Sequence, residues 1–217
     1  MKPESGHWLE QEGWARASTF AFFLEYQLPF FNLCTSVEVG PTLTRCRDNG
    51  ASFFLAAWYA CLRAANETEP FRHRVRDGRV WVHDELFVGT TVLRDDETFG
   101  FCYLPSAGSF AEFARGADAI LSEFRRGERV FDALSDRDDL LHGSVIPWVD
   151  FTSMSHARRL PIPDSVPKLA MGKYTQRDGG VRMPVSVEVH HAVVDGLHVG
   201  RFLERLQALL MDPDWIV

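Results

Sequence analysis

Two spacings of apolar residues alternate along this chain. A spacing of three to four residues marks one face of a helix, and a spacing of two marks one face of a strand. The helical spacing runs through residues 51–65, where Phe54, Trp58, Cys61 and Ala65 share a stripe. It returns at 109–126, with Phe110, Phe113, Ala117, Ile120, Leu121 and Phe124, and at 196–210, with Val199, Phe202, Leu206 and Leu209. The aromatic-rich stretch 14–27 is predicted to be helical in part, and Pro41 and Thr42 open a short helical stretch. Strands are predicted at 32–40, 85–93 and 99–105. Asp77-Gly78 between β-type runs predicts a hairpin over 71–84. Residues 168–176 and 181–190, on either side of "RDGG", predict a second hairpin. The apolar run 143–151 contains Pro147, which assigns it to a sheet edge or an irregular strand. Strands and helices interleave without a βαβ rhythm. The expected fold is therefore one α/β (α+β) domain over 1–217, a two-layer sandwich of helices on a mixed sheet.

The last predicted strand runs into "HHAVVDGLH" (190–198), which gathers three histidines and an aspartate. Val181, Met183, Val185, Val187 and Val189 share one face of that strand, and Arg182, Pro184, Ser186, Glu188 and His190 the other. If the alternation continues, His191 falls on the apolar face, where desolvation favours the neutral imidazole that a general base needs. Adjacent strand residues point to opposite faces, so His190 and His191 are poorly placed to bind one ion, and no metal site is expected. Asp195 is a favoured helix N-cap, with its charge at the positive end of the helix. On the residues alone, a catalytic and a structural role for His191 stand level.

Composition narrows the classes. The net charge of −7 argues against nucleic acid, which wants a basic field. No apolar run approaches the ~20 residues that span a bilayer. The polar opening "MKPESGHWLEQEGW" lacks the apolar core of a signal peptide, so a cytoplasmic protein without membrane partners is expected. Cys34, Cys46, Cys61 and Cys102 are widely spaced and form no CxxC, which disfavours a disulfide framework or a structural zinc site. GxGxxG, Walker A, GxSxG and HExxH patterns are all missing.

The string "HHAVVDG", continued by "LHVGRF" and a helix, resembles the HHxxxDG signature of the chloramphenicol acetyltransferases, a pattern shared with a wider acyltransferase superfamily. "GWARASTF" (13–20), "DDETF" (95–99), "GSVIPWVDFTS" (143–153), "AMGKY" (170–174) and "MPVSVEVHHAV" (183–193) resemble further segments of that family, in its order. The resemblance covers roughly residues 14–210. It implies the CoA-dependent acyltransferase type of the fold and an acetyl-CoA-dependent O-acetyltransferase acting on chloramphenicol, hence a resistance enzyme. Acetyl-CoA is then a co-substrate, with no permanently bound cofactor. His191 is implied as the general base and Ser144 as the oxyanion donor. Asp195 and Arg16 are implied as an ion pair holding the site. Lys173 and Tyr174 match positions along the coenzyme A channel. Phe22, Phe23, Phe31, Phe99 and Phe131 match acceptor-pocket positions. The family is homotrimeric, with each active site shared between two subunits.

The departures cluster on the acceptor side. Met154 and His156 fall where the family usually carries an F-x-L pair, and nearby Arg158 makes that pocket more polar. Phe23 stands where a tyrosine is common, and Ala170 where a threonine is common. A relative that acylates a different alcohol or amine is therefore the alternative, followed by a non-catalytic binder of aromatic ligands.

Overall fold

The computed structural model describes residues 5–125, 137–158, 164–177 and 179–217. The elements, in chain order, are β1 (Gly6–Trp8), α1 (Ala17–Leu24), β2 (Phe30–Glu38), α2 (Gly40–Asp48), α3 (Phe53–Glu67), β3 (His73–Arg76) and β4 (Arg79–His83). There follow β5 (Phe87–Leu93), β6 (Phe99–Leu104), α4 (Phe110–Arg125), β7 (Leu140–Ile146), β8 (Lys168–Gly172), β9 (Thr175–Arg177), β10 (Gly180–His190) and α5 (Gly196–Met211). The main sheet has the order β2-β10-β8-β7-β5-β6, with β9 added to β10. Its inner pairs β5·β7 and β7·β8 are parallel and the others antiparallel, so the sheet is mixed. A small antiparallel sheet, β1-β4-β3, stands apart.

The helices cover one face of the main sheet. Val88 of β5, Leu141 of β7, Leu169 and Met171 of β8, and Val185, Val187 and Val189 of β10 join the α3, α4 and α5 stripes in one buried core. Trp58 at the centre of α3 packs so close to β7 that a Cβ on Gly143 would lie 2.4 Å from its ring and 2.6 Å from the Leu169 carbonyl. Glycine is required there, and the next residue, Ser144, points to the opposite face. Ser52 caps α3, its hydroxyl accepting the Leu55 N–H at 3.4 Å. The β3–β4 hairpin turns through Asp77 and Gly78 with positive φ at both (48° and 70°), the pattern that a two-residue hairpin favours.

One expectation is corrected. The 143–151 segment is not an edge or irregular strand: β7 begins at Leu140 and lies inside the sheet, between β5 and β8. Pro147 follows the last strand residue, so no ladder hydrogen bond is lost. Both faces of β10 are buried from Met183 onward, the second with Pro184, Ser186, Glu188 and His190 as well as the first with the valines between them. Segment 154–158 lies over that second face, as its bonds to Glu188 show.

Candidate active site

β10 ends at His190, and residues 191–193 turn toward α5. That turn is fastened from several sides. The His191 N–H donates to the Pro29 carbonyl at 2.7 Å, just ahead of β2. The His190 carbonyl accepts from Val193 and Val194, and its Nδ1 accepts the Ala192 N–H at 3.2 Å. Burial, with Arg158 nearby, pushes the His190 imidazole down to about 4, so it stays neutral and serves as an acceptor for the turn.

Arg16, just before α1, reaches across to the same turn. Its guanidinium donates to the His191 carbonyl at 3.2 Å and the Ala192 carbonyl at 3.0 Å, and to the Asp195 carboxylate. Asp195 stands at the N-cap of α5, where its own N–H donates to His198 Nδ1 at 3.0 Å. Its second oxygen lies 3.3 Å from His191 Nδ1 without hydrogen-bond alignment. One guanidinium thus fixes the backbone and the charge around the His191 ring.

The ring stacks on Phe23 at 4.0 Å between centroids and 9° between planes, and meets Phe31 at 4.6 Å. Phe31 pairs with Val189, so the ring lies on the valine side of β10. Desolvation is incomplete there: a third of the His191 side chain is exposed, because the turn lies beyond the core. Phe22 and Tyr26 complete an aromatic cluster with Phe23, both about half exposed. The positions that the resemblance implied did not include Tyr26, whose helical spacing from Phe22 and Phe23 is the signal for its place in this cluster.

Ser144 sits elsewhere. It pairs with Ala170, which pairs with Ser186, and His191 follows Ser186 by five residues. At ~3.3 Å per residue and ~4.8 Å per strand, His191 and Ser144 of one chain are roughly 19 Å apart. Phe99 lies on β6, at the opposite edge of the sheet from β2 and half exposed. Within one chain the two candidate groups therefore stand apart: His191 with its aromatic wall, and Ser144 with Phe99 on its side of the sheet.

At the ends of β7 and β8, on the helix face of the sheet and so across it from the Ser144 hydroxyl, is a cavity of about 420 Å³. Phe53, Phe54, Ala57, Val145, Pro147, Met171, Gly172, Lys173, Tyr174 and Met183 line it. The Tyr174 ring stands edge-on to Phe53 at 5.5 Å, and Lys173 is exposed at the mouth. An apolar slot with a cation and a phenol at its rim can hold a slender ligand that ends in anionic groups.

Met154 is half-buried, and the His156 N–H donates to Glu188 at 3.2 Å, while burial lowers the His156 imidazole. Arg158 does not line an open pocket. It is buried, with Nε on Glu188 at 2.7 Å, Nη1 on Asp164 at 3.2 Å, and its guanidinium 3.5 Å over the Phe30 ring. Phe131 lies outside the described residues. Among those described, no group of three or more His, Cys, Asp or Glu side chains could hold a metal ion, and no helix is long and apolar enough to cross a membrane.

A family model described as chloramphenicol acetyltransferase matches residues 8–207. The chain is 28% identical over 197 residues to chloramphenicol acetyltransferase 2 of Haemophilus influenzae, covering 90% of this chain and 92% of the relative. It is 28% identical over 213 residues to the chloramphenicol acetyltransferase of Streptomyces acrimycini, covering 96% of each. A solved chloramphenicol acetyltransferase superposes with a TM-score of 0.85 at 28% identity, covering 94% of this chain and 99% of that one. A dihydrolipoamide acetyltransferase of Azotobacter vinelandii shares the fold, with a TM-score of 0.69 at 17% identity over 92% of this chain and 88% of that one.

Proposed function

The chain belongs to the chloramphenicol acetyltransferase family, and we propose that it transfers the acetyl group of acetyl-CoA to a hydroxyl of chloramphenicol, thereby inactivating the antibiotic. The observation that carries this reading is the setting of His191: a partly exposed imidazole stacked on Phe23, with the backbone behind it held by Arg16. Nδ1 is buried, so Nε2 is the nitrogen that faces a substrate. Nε2 takes the acceptor hydroxyl proton as that oxygen attacks the thioester carbonyl. The Ser144 hydroxyl donates to the oxyanion of the tetrahedral intermediate. Collapse breaks the C–S bond, the acetyl ester leaves, and the imidazolium returns its proton to the departing thiolate. No acyl-enzyme forms, so no nucleophile elbow is needed.

Coenzyme A enters past Lys173 and Tyr174, at the ends of β7 and β8, and its thioester reaches the face of the sheet that carries the Ser144 hydroxyl. The acceptor ring lies against Phe22, Phe23 and Phe31, where stacking suits a nitrophenyl group. Because the two half-sites of one chain are too far apart to meet, the active site forms between copies. His191 of one subunit faces Ser144 and Phe99 of the next, in a head-to-tail interface that closes as a homotrimer. Exposed Phe22, Tyr26 and Leu28 on one side, and Phe99, Trp148 and Val149 on the other, supply apolar surface for that contact.

The test is thiol release from acetyl-CoA with chloramphenicol and a panel of other alcohols and amines. Release with chloramphenicol, abolished in His191→Ala while ligand binding persists, is expected. Turnover of another acceptor but not of saturating chloramphenicol would replace the substrate. That second reading draws on the segment 154–158, which carries Met154 and His156 and is tied to β10 through Glu188.

A further inference from the structure

We propose that Thr91 is a positioning residue for the oxyanion donor. It presents Ser144 with a hydrogen bond that leaves the serine proton free for the reaction. The inference rests on the reading of Ser144 as that donor. Thr90 pairs with Gly143 in the parallel β5·β7 ladder, so Thr91 and Ser144 are the next residues along and share a face. Gly143 faces Trp58, which sends both hydroxyls to the face away from the helices. There the Thr91 hydroxyl donates to Ser144 Oγ at 3.2 Å. On the other side of Ser144, β8 supplies Ala170, which carries no hydrogen-bonding side chain. Of the two residues flanking the serine in its row, one offers a hydroxyl and the other a methyl.

The direction of the bond matters. A serine hydroxyl has one proton and two acceptor positions. If Ser144 donated to a neighbour, its proton would be spent in the ground state. By accepting from Thr91 it keeps that proton, and the accepted bond polarises the O–H so that it donates more strongly. Threonine is suited to this, because β-branching restricts χ1 in a strand and holds Oγ1 in place. The hydroxyl of adjacent Thr90 cannot substitute, since it lies on the helix face, fully buried, and bonds the Thr91 carbonyl at 3.4 Å. The 3.2 Å separation exceeds the usual ~2.8 Å of a hydroxyl pair, as expected of a contact that shortens once a negative oxygen pulls on the serine proton.

The experiment compares Thr91→Val, Thr91→Ser, Ser144→Ala and the double variant Thr91→Val/Ser144→Ala, using whichever acceptor of the panel turns over fastest. Thr91→Val keeps the branched shape and removes only the hydroxyl. It is expected to lower kcat about five- to tenfold, the worth of one neutral hydrogen bond, with both KM values and the melting temperature unchanged. Thr91→Ser restores most of the rate. The double variant is no slower than Ser144→Ala, because Thr91 acts only through the serine. Three results overturn the proposal: a Thr91→Val enzyme at wild-type kcat, losses that multiply in the double variant, or a Thr91→Ser enzyme as slow as Thr91→Val. A Ser144→Ala enzyme at wild-type kcat removes the oxyanion assignment itself, and this outcome is distinct from the other three.

Discussion

His190 and His191 are covalent neighbours in unlike surroundings, and the difference lies in what each ring touches. His190 is buried edge-on against Phe30 and accepts a backbone N–H, whereas His191 stacks on Phe23 with part of its ring in solvent. Arg16 supports the second ring through two carbonyls and a carboxylate, while Asp195 meets Arg16 through one bond. Arg16→Met is therefore expected to be more damaging than Asp195→Asn. Charge-assisted hydrogen bonds are worth roughly 1.5–3 kcal/mol each, so a loss of at least tenfold in kcat is expected for Arg16→Met. Steady-state kinetics of both variants checks the order, and equal losses would show that the carbonyl contacts contribute nothing. At Arg158 the burden is stability. Arg158→Met leaves Glu188 buried without its cation, a change typically worth 3–5 kcal/mol, and denaturant unfolding should show a loss of that size.

Among the elements, β7 does most to place the proposed chemistry. Gly143 lets Trp58 lie flush on the sheet, which aims Ser144 at the far face. Gly143→Ala would force the strand away from α3. Overpacking of this kind typically costs ~1–3 kcal/mol. A lowered midpoint in urea together with a reduced kcat is expected, and unchanged unfolding would refute the close contact. The periodicity of α3, α4 and α5 was readable in the sequence, because each buries a single stripe against one sheet face. The central position of β7 was not readable. Its pairing partners, β5 and β8, are brought together by chain crossings that no local pattern encodes, and Pro147 suggested an edge only because the end of the strand was unknown.

For the whole molecule, the separation of the two proposed half-sites makes a sharp prediction. His191→Ala subunits, inactive alone, and Ser144→Ala subunits, strongly slowed alone, should recover activity when unfolded and reassembled together. In a head-to-tail trimer a random mixture restores roughly a quarter of the sites. No recovery in verified mixed trimers would place both residues in one subunit's site. Acid stability is also set by the whole fold. Burial holds His73, His142 and His190 each near 4, below the ordinary histidine value of ~6.5. Between those values the unfolded chain takes up protons that the folded chain does not. The stabilisation is complete above about pH 6.5 and is lost as pH falls through about 4. Unfolding free energy should therefore drop over that window, and His190→Gln should flatten the drop. A profile level from pH 7 to 5 would contradict the burial of these rings.

The sequence by itself determined the elements and the family. Helix stripes, hairpin turns and the HHAVVDG string are local, set by side-chain periodicity and short-range backbone chemistry, and so is the parity that parts His190 from His191. What lies across the chain was decided only in three dimensions. Burial of both faces of β10 depends on the distant segment 154–158, and the enclosure of Arg158 depends on Glu188 and Asp164. The bond from Thr91 to Ser144 depends on the β5·β7 register, and the distance between His191 and Ser144 on the strand order. Register and strand order come from the packing of one sheet face against α3, α4 and α5, a condition on the whole chain that no window of residues contains.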